Sequence, residues 1–183
     1  MLMRTIARPP LLALIAAAAL TACVDRPPVT APAVTRRHDA AEVVGAPAAL
    51  PAAVVRDRLE RAADGLLYTS ESDYPFVWFY DAGPAPAPLT APALLAAAHE
   101  SPDEPVQIIS LDDFFARHIE RVDPYDSVAV SLVPRYRHLR ETIRLTVPDV
   151  RVFRVGRIQV RCYVVGTNGA GEVVGVSTVA IET

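Results

Sequence analysis

The amino-acid sequence predicts a single α+β domain, a mainly antiparallel sheet covered by helices, preceded by an export leader and a tether. Helical periodicities occupy the first two thirds of the chain beyond residue 53, and valine-rich runs separated by turn signals fill the last third. A length of 183 residues falls within the ~100–200 typical of one domain, so one core is expected. The apolar fraction of 51% includes much alanine near the N-terminus, where it marks export rather than core. The net charge of -3 is mild and no basic stripe with interleaved aromatics occurs, so direct nucleic-acid binding has no support.

The N-terminus carries a processing signal. Arg4 and Arg8 form a basic region, and Leu11 to Leu20 is an unbroken apolar run. A bilayer-spanning helix needs ~20 apolar residues, so a run half as long is the core of a signal peptide. It ends in Leu20-Thr21-Ala22-Cys23, which resembles the lipobox at which bacterial lipoproteins are acylated on the cysteine thiol and cleaved in front of it. Residues 1–22 are therefore expected to be a lipoprotein signal peptide, with Cys23 the lipidation site and palmitate-type chains the membrane anchor. Residues 23–53 are rich in alanine and proline without a sustained period and read as a tether. The expected location is the cell envelope, and Val24 after the cysteine points to the outer membrane facing the periplasm.

The domain is expected over 54–183. Val55, Leu59, Ala62 and Leu66 recur at helical spacing, with Gly65 near the end of that first helix. Ser70 to Pro75 reads as a polar turn and Phe76 to Tyr80 as an aromatic-rich strand. A Pro/Ala loop over 81–88 leads to a short Ala/Leu helix from Ala91 to His99. Val106 to Ser110 reads as a short strand and is followed by an acidic helix beginning around Asp112. Val128, Leu132, Tyr136, Leu139 and Ile143 mark one helical face, which Pro134 should kink or break. Val150–Val155, Ile158–Val165 and Glu172–Ile181 read as strands, the last two joined through the turn signal at 167–171.

The search for chemistry of the domain's own returns little. Cys162 is the only cysteine besides Cys23 and lies in a run alternating at period two, which places its thiol in the core as an inert group. His99, His118 and His138 lack metal-ligand spacing and read as surface or helix-end residues. No nucleophile elbow, phosphate loop or zinc-helix motif occurs, and Ser70 and Ser72 have no identifiable base. The protein is thus expected not to be an enzyme, with no catalytic residues, no cofactor and no metal of its own. Acid placement is more informative: Glu100 to Asp126 holds eight acids against two arginines, an excess expected on one side of the domain. It is either a solvated face or a mimic of a polyanion fitting a phosphodiester-binding site.

Leu66-Leu67-Tyr68-Thr69-Ser70-Glu71-Ser72-Asp73-Tyr74-Pro75-Phe76 resembles the signature segment of the nuclease A inhibitor family. The resemblance continues through Asp112-Asp113-Phe114-Phe115-Ala116-Arg117, Val152-Phe153-Arg154-Val155-Gly156, Tyr163-Val164-Val165-Gly166 and Gly175-Val176-Ser177-Thr178 to the ending Glu182-Thr183. It implies a three-layer α-β-α sandwich and, as function, inhibition of a magnesium-dependent, non-specific sugar nuclease of the ββα-metal kind acting on DNA and RNA. By residue, Glu71 matches the acid that reaches the nuclease's magnesium through water. Thr183 matches the terminal residue that ligates this metal directly, and Asp123 matches an acid bonded to the nuclease surface. Magnesium favours hard oxygen ligands, so carboxylates can occupy the place of substrate phosphate oxygens. Pro124 departs from the family pattern by replacing an aromatic. The alternative reading is an envelope lipoprotein interaction module with a non-nuclease partner, and a periplasmic hydrolase ranks behind both.

Overall fold

The computed structural model describes residues 50–183. Along the chain lie α1 (Ala52–Ala63), β1 (Leu67–Thr69), β2 (Asp73–Pro75), β3 (Val77–Asp81), α2 (Ala91–Ala97), β4 (Val106–Ile109), α3 (Leu111–Ile119), α4 (Ser127–Thr146), β5 (Arg151–Val155), β6 (Gln159–Thr167) and β7 (Val173–Ile181). Strands β3-β7-β6-β5-β4 form one antiparallel sheet, and β1 and β2 form a separate two-stranded hairpin. The fold is α+β, and the predicted antiparallel sheet is present.

Both faces of the central sheet are buried, which gives the three layers. Side chains of a strand alternate between faces, and here both alternating sets are apolar. Val152, Val160, Cys162, Val164, Val174 and Val176 pack under α1, α3 and α4. Phe153, Val155, Tyr163, Val165 and Val173 pack under α2 and the preceding loop, with Leu89, Leu94 and Leu95. Cys162 is fully buried, as its place in the alternation implied, and desolvation pushes its thiol up to about 11, so it stays protonated at neutral pH.

Local chemistry explains the ends of the elements. Helix α1 stops where Gly65 takes a φ of 63°, a left-handed conformation open to glycine, and Leu66 N–H then bonds Ala63 C=O at 2.9 Å. Ser110 caps α3 by accepting from Asp113 N–H, and Asp112 and Asp113 add negative charge in its first turn. Asp126 caps α4 by accepting from Ala129 N–H at 2.9 Å. In the turn between β6 and β7 the Asn168 side chain accepts from Ala170 N–H and Glu172 N–H, both at 3.0 Å. At Gly175 a Cβ would lie 2.1 Å from Val164 C=O, so glycine is required there by close approach of the neighbouring strand.

Several expectations need correction. Of the two effects expected of Pro134, a kink or a break, the break does not occur, since α4 runs continuously from Ser127 to Thr146. The helical face is buried at Tyr136, Leu139 and Ile143, but Val128 is 68% exposed, because the first turns border a cleft instead of the core. The polar turn expected over 70–75 is shorter: Asp73–Pro75 pairs back on Leu67–Thr69, with Tyr68 opposite Tyr74. A three-residue strand is too short for a period-two pattern to be legible, although its partner lies only one turn, residues 70–72, away. His118 is a helix-end residue, in the last turn of α3, but at 6% exposure it is buried and not on the surface.

Candidate functional site

The hairpin β1–β2 is anchored by its one inward ring. Tyr68 stacks on Phe114 with ring centres 4.8 Å apart and meets Phe76 edge-on. Two polar contacts hold β1 against the helices: Tyr136 Oη–H donates to Leu67 C=O at 2.6 Å, and Thr69 N–H donates to His118 Nε2 at 3.0 Å. The second contact requires an unprotonated Nε2. Burial, with Arg117 nearby, lowers the pKa of His118 to about 4, so the neutral ring that the bond demands is the stable one at neutral pH.

The turn of this hairpin carries Glu71. Ser70 Oγ donates to Ser72 C=O at 2.9 Å and Ser70 N–H to the same carbonyl at 3.1 Å, closing the turn. The chain's last residues arrive beside it from β7. Ile181 N–H donates to Ser70 Oγ at 2.9 Å, and Glu71 N–H lies 3.5 Å from Ile181 C=O. Beyond the strand, Glu182 N–H donates to Ile158 C=O at 2.9 Å while its carboxylate pairs with Arg154. Thr183 then donates twice to one oxygen of Glu71, from N–H at 3.2 Å and from Oγ1–H at 2.7 Å. Glu71 and Thr183, separated by 112 positions, therefore sit together on the exposed surface.

Asp123 lies on the loop between α3 and α4. Its carboxylate accepts from Tyr125 N–H at 2.9 Å, and its carbonyl from Asp126 N–H at 3.1 Å, so the loop is folded by its own local bonds. A cleft of about 450 Å³ separates this loop from the hairpin, with Thr69, Ser70 and Asp73 on one wall and Arg121, Asp123 and Asp126 on the other. Asp123 thus faces the same cleft as the residue before Glu71, without bonding to Glu71 or Thr183. Beside Pro124, Tyr125 is 94% exposed.

The acidic run from Glu100 to Asp126 does not share one side of the domain, contrary to expectation. Glu100 and Glu104 pair with Arg161, and Glu100 also accepts from Tyr163 Oη–H at 2.6 Å, on the α2 side of the sheet. Asp112 and Glu120 pair with Arg140 and Arg144 on the opposite side. The spacing of acids along the chain counts charge but not the arginines that other elements bring to it. Around the cleft, Asp73, Asp123 and Asp126 stand with Arg117 and Arg121, which form no ion pair among the described residues. No cluster of three or more His, Cys, Asp or Glu able to hold a metal exists among the described residues. The site is a set of exposed oxygens on a fixed backbone, suited to contact with another molecule's cation or metal.

Some contributors were not legible in the sequence. Ser70 and His118 acquire their roles through Ile181 and Thr69, far away along the chain. Cys23 and the tether up to residue 49 lie outside the described residues, while Ala52 and Ala53, expected as the end of the tether, already form the start of α1. Comparison with curated proteins finds no match to the chain. Residues 53–183 match the family model described as nuclease A inhibitor-like protein.

Proposed function

Since the chain belongs to the nuclease A inhibitor-like family, we propose that it inhibits a magnesium-dependent, non-specific endonuclease of the ββα-metal kind by occluding the active site with carboxylates. Family membership itself supports a nuclease inhibitor with a nuclease as protein partner, and hence a non-enzymatic role. The finer reading is carried by one observation: Glu71 and Thr183 are joined on the exposed surface by two hydrogen bonds. In this reading the Thr183 carboxylate ligates the partner's magnesium, and Glu71 reaches the metal through water. Asp123 hydrogen-bonds the nuclease surface across the cleft, with Tyr125 supplying the aromatic contact that Pro124 removes.

Extending the chain by a short peptide after Thr183 converts the carboxylate into a neutral amide and should weaken inhibition about a hundredfold to a thousandfold. Titration of such a nuclease with extended and unextended protein is the test, and equal inhibition by the two would eliminate the terminal carboxylate as the metal ligand. Glu71→Ala should cost less, because a water-mediated contact is partly replaced by another water.

The envelope location completes the proposal. Cys23 carries the lipid, and the tether holds the domain at the outer membrane facing the periplasm. Metabolic labelling with palmitate should mark the wild-type protein and not Cys23→Ala, and an unlabelled wild type would remove the anchor.

A further inference from the structure

We infer that Glu71 is a positioning residue for the C-terminal residue, a latch that fixes Thr183 against the hairpin turn before any partner arrives. The inference rests on the proposed role of Thr183 at the partner's metal, but the latch itself is a property of the free protein. Without it, two residues beyond the end of a strand would be free to fray. Instead each is bonded to a different element. Glu182 is held toward β5 and β6, by its N–H on Ile158 C=O and its carboxylate on Arg154. Thr183 is held toward the hairpin by two donors on Glu71. The turn that presents Glu71 is in turn fixed to the final strand through Ser70 Oγ and Ile181 N–H.

Both bonds from Thr183 end on Oε1 of Glu71, so Oε2 is left for an outside donor or ligand. One carboxylate therefore orders the last residue and still faces the partner. The benefit is preorganisation: a terminal residue already ordered loses less conformational freedom on binding than a fraying one. The chemistry required of residue 71 for the latch is a hydrogen-bond acceptor at the Oε1 position and not a negative charge. Glutamine supplies that acceptor, and alanine does not.

The test compares full-length wild type, Glu71→Gln and Glu71→Ala, each with unchanged thermal unfolding. The first readout is the backbone amide order of Thr183 by ¹⁵N relaxation, together with the rate at which a carboxypeptidase releases Thr183. Wild type and Glu71→Gln should keep a near-rigid amide, with an order parameter of about 0.85, and Glu71→Ala should fall below about 0.6. Release of Thr183 should be roughly tenfold faster or more from Glu71→Ala, which corresponds to loss of a single well-populated bonded state. Ser70→Ala, which removes the acceptor of Ile181 N–H, should loosen Thr183 to a smaller extent. A folded Glu71→Ala protein whose Thr183 is as ordered and as slowly released as in wild type overturns the latch. Inhibition of a ββα-metal nuclease is the second readout: Glu71→Gln should retain more inhibition than Glu71→Ala. If no nuclease is inhibited by wild type, the functional reading fails while the first readout still decides the latch. If Gln and Ala lose inhibition equally although Gln keeps Thr183 ordered, positioning is not what Glu71 contributes to binding.

Discussion

One face of the central sheet is covered by α1, α3 and α4, of 12, 9 and 20 residues, and the other by α2, of seven, with the loop before it. On the first face the core is aromatic and layered: Phe114 and Phe115 meet edge-to-face with centres 5.1 Å apart, and Tyr68 and Phe76 pack on them. On the second face leucines and alanines of α2 and its loop pack on Phe153 and on an edge-to-face pair, Phe79 and Tyr163, with centres 5.2 Å apart, and the polar group Glu100–Arg161–Tyr163 closes one border. The candidate site belongs to the first face. Its hairpin is seated through Tyr68 on Phe114 and through Thr69 on His118, and the Asp123 loop joins α3 to α4. The three-helix layer therefore has two tasks, core and scaffold, whereas the α2 layer has one.

Truncating one fully buried side chain on each face should separate these tasks. Phe115→Ala should cost about 3–5 kcal/mol, and Leu94→Ala about 2–3 kcal/mol, because a seven-residue helix can settle into part of the space it leaves. Urea unfolding measures both. Under conditions where each variant is folded, Leu94→Ala should leave inhibition intact and Phe115→Ala should weaken it, because Phe115 packs on Phe114, on which Tyr68 of the hairpin is seated, and on Phe76, which follows the hairpin. Equal losses of inhibition would mean that the α2 layer also shapes the site.

Acid should weaken the site-bearing face before the other. The folded state holds His118 at about 4 against an ordinary 6.5, so between these values the unfolded chain binds the extra proton. Stability from this group is complete above about pH 6.5 and is lost as pH falls toward about 4. Between about pH 7 and about pH 5 the loss should be on the order of 2 kcal/mol. Unfolding free energies measured at the two pH values give the slope, and His118→Gln should flatten it. An unchanged slope in that variant would assign the acid sensitivity elsewhere. The smallest effect belongs to the α2 side: Tyr163→Phe removes one hydrogen bond to Glu100, which keeps Arg161, and should cost about 1 kcal/mol with no change in inhibition.

The comparison also bears on what was legible. Helices α1, α2 and α3 and strands β3 to β7 were each placed within a few residues, because hydrophobic period, caps and turn residues act over a handful of positions. On the α2 face little more was needed. On the other face the local signals stopped short. The hairpin β1–β2 offers three residues a strand, and Pro134 left a kink and a break equally open, whereas α4 passes through it as one helix. A long helix packed along its second half can tolerate one missing N–H, and that packing is a tertiary fact.

By itself the sequence determined the fold class, the burial of Cys162 and the family signature around Glu71, all of which follow from residue types at short spacing. Tertiary structure decided how the acids are shared between arginines of α4 and Arg161 of β6, and that His118 is a buried acceptor and not a surface group. It also decided that Glu71 and Thr183 are neighbours. Their separation of 112 positions is bridged only when β7 has entered the sheet between β3 and β6. Local propensity acts over a few residues, whereas a hydrogen bond across such a span exists only after chain-closure entropy has been overcome by the core as a whole.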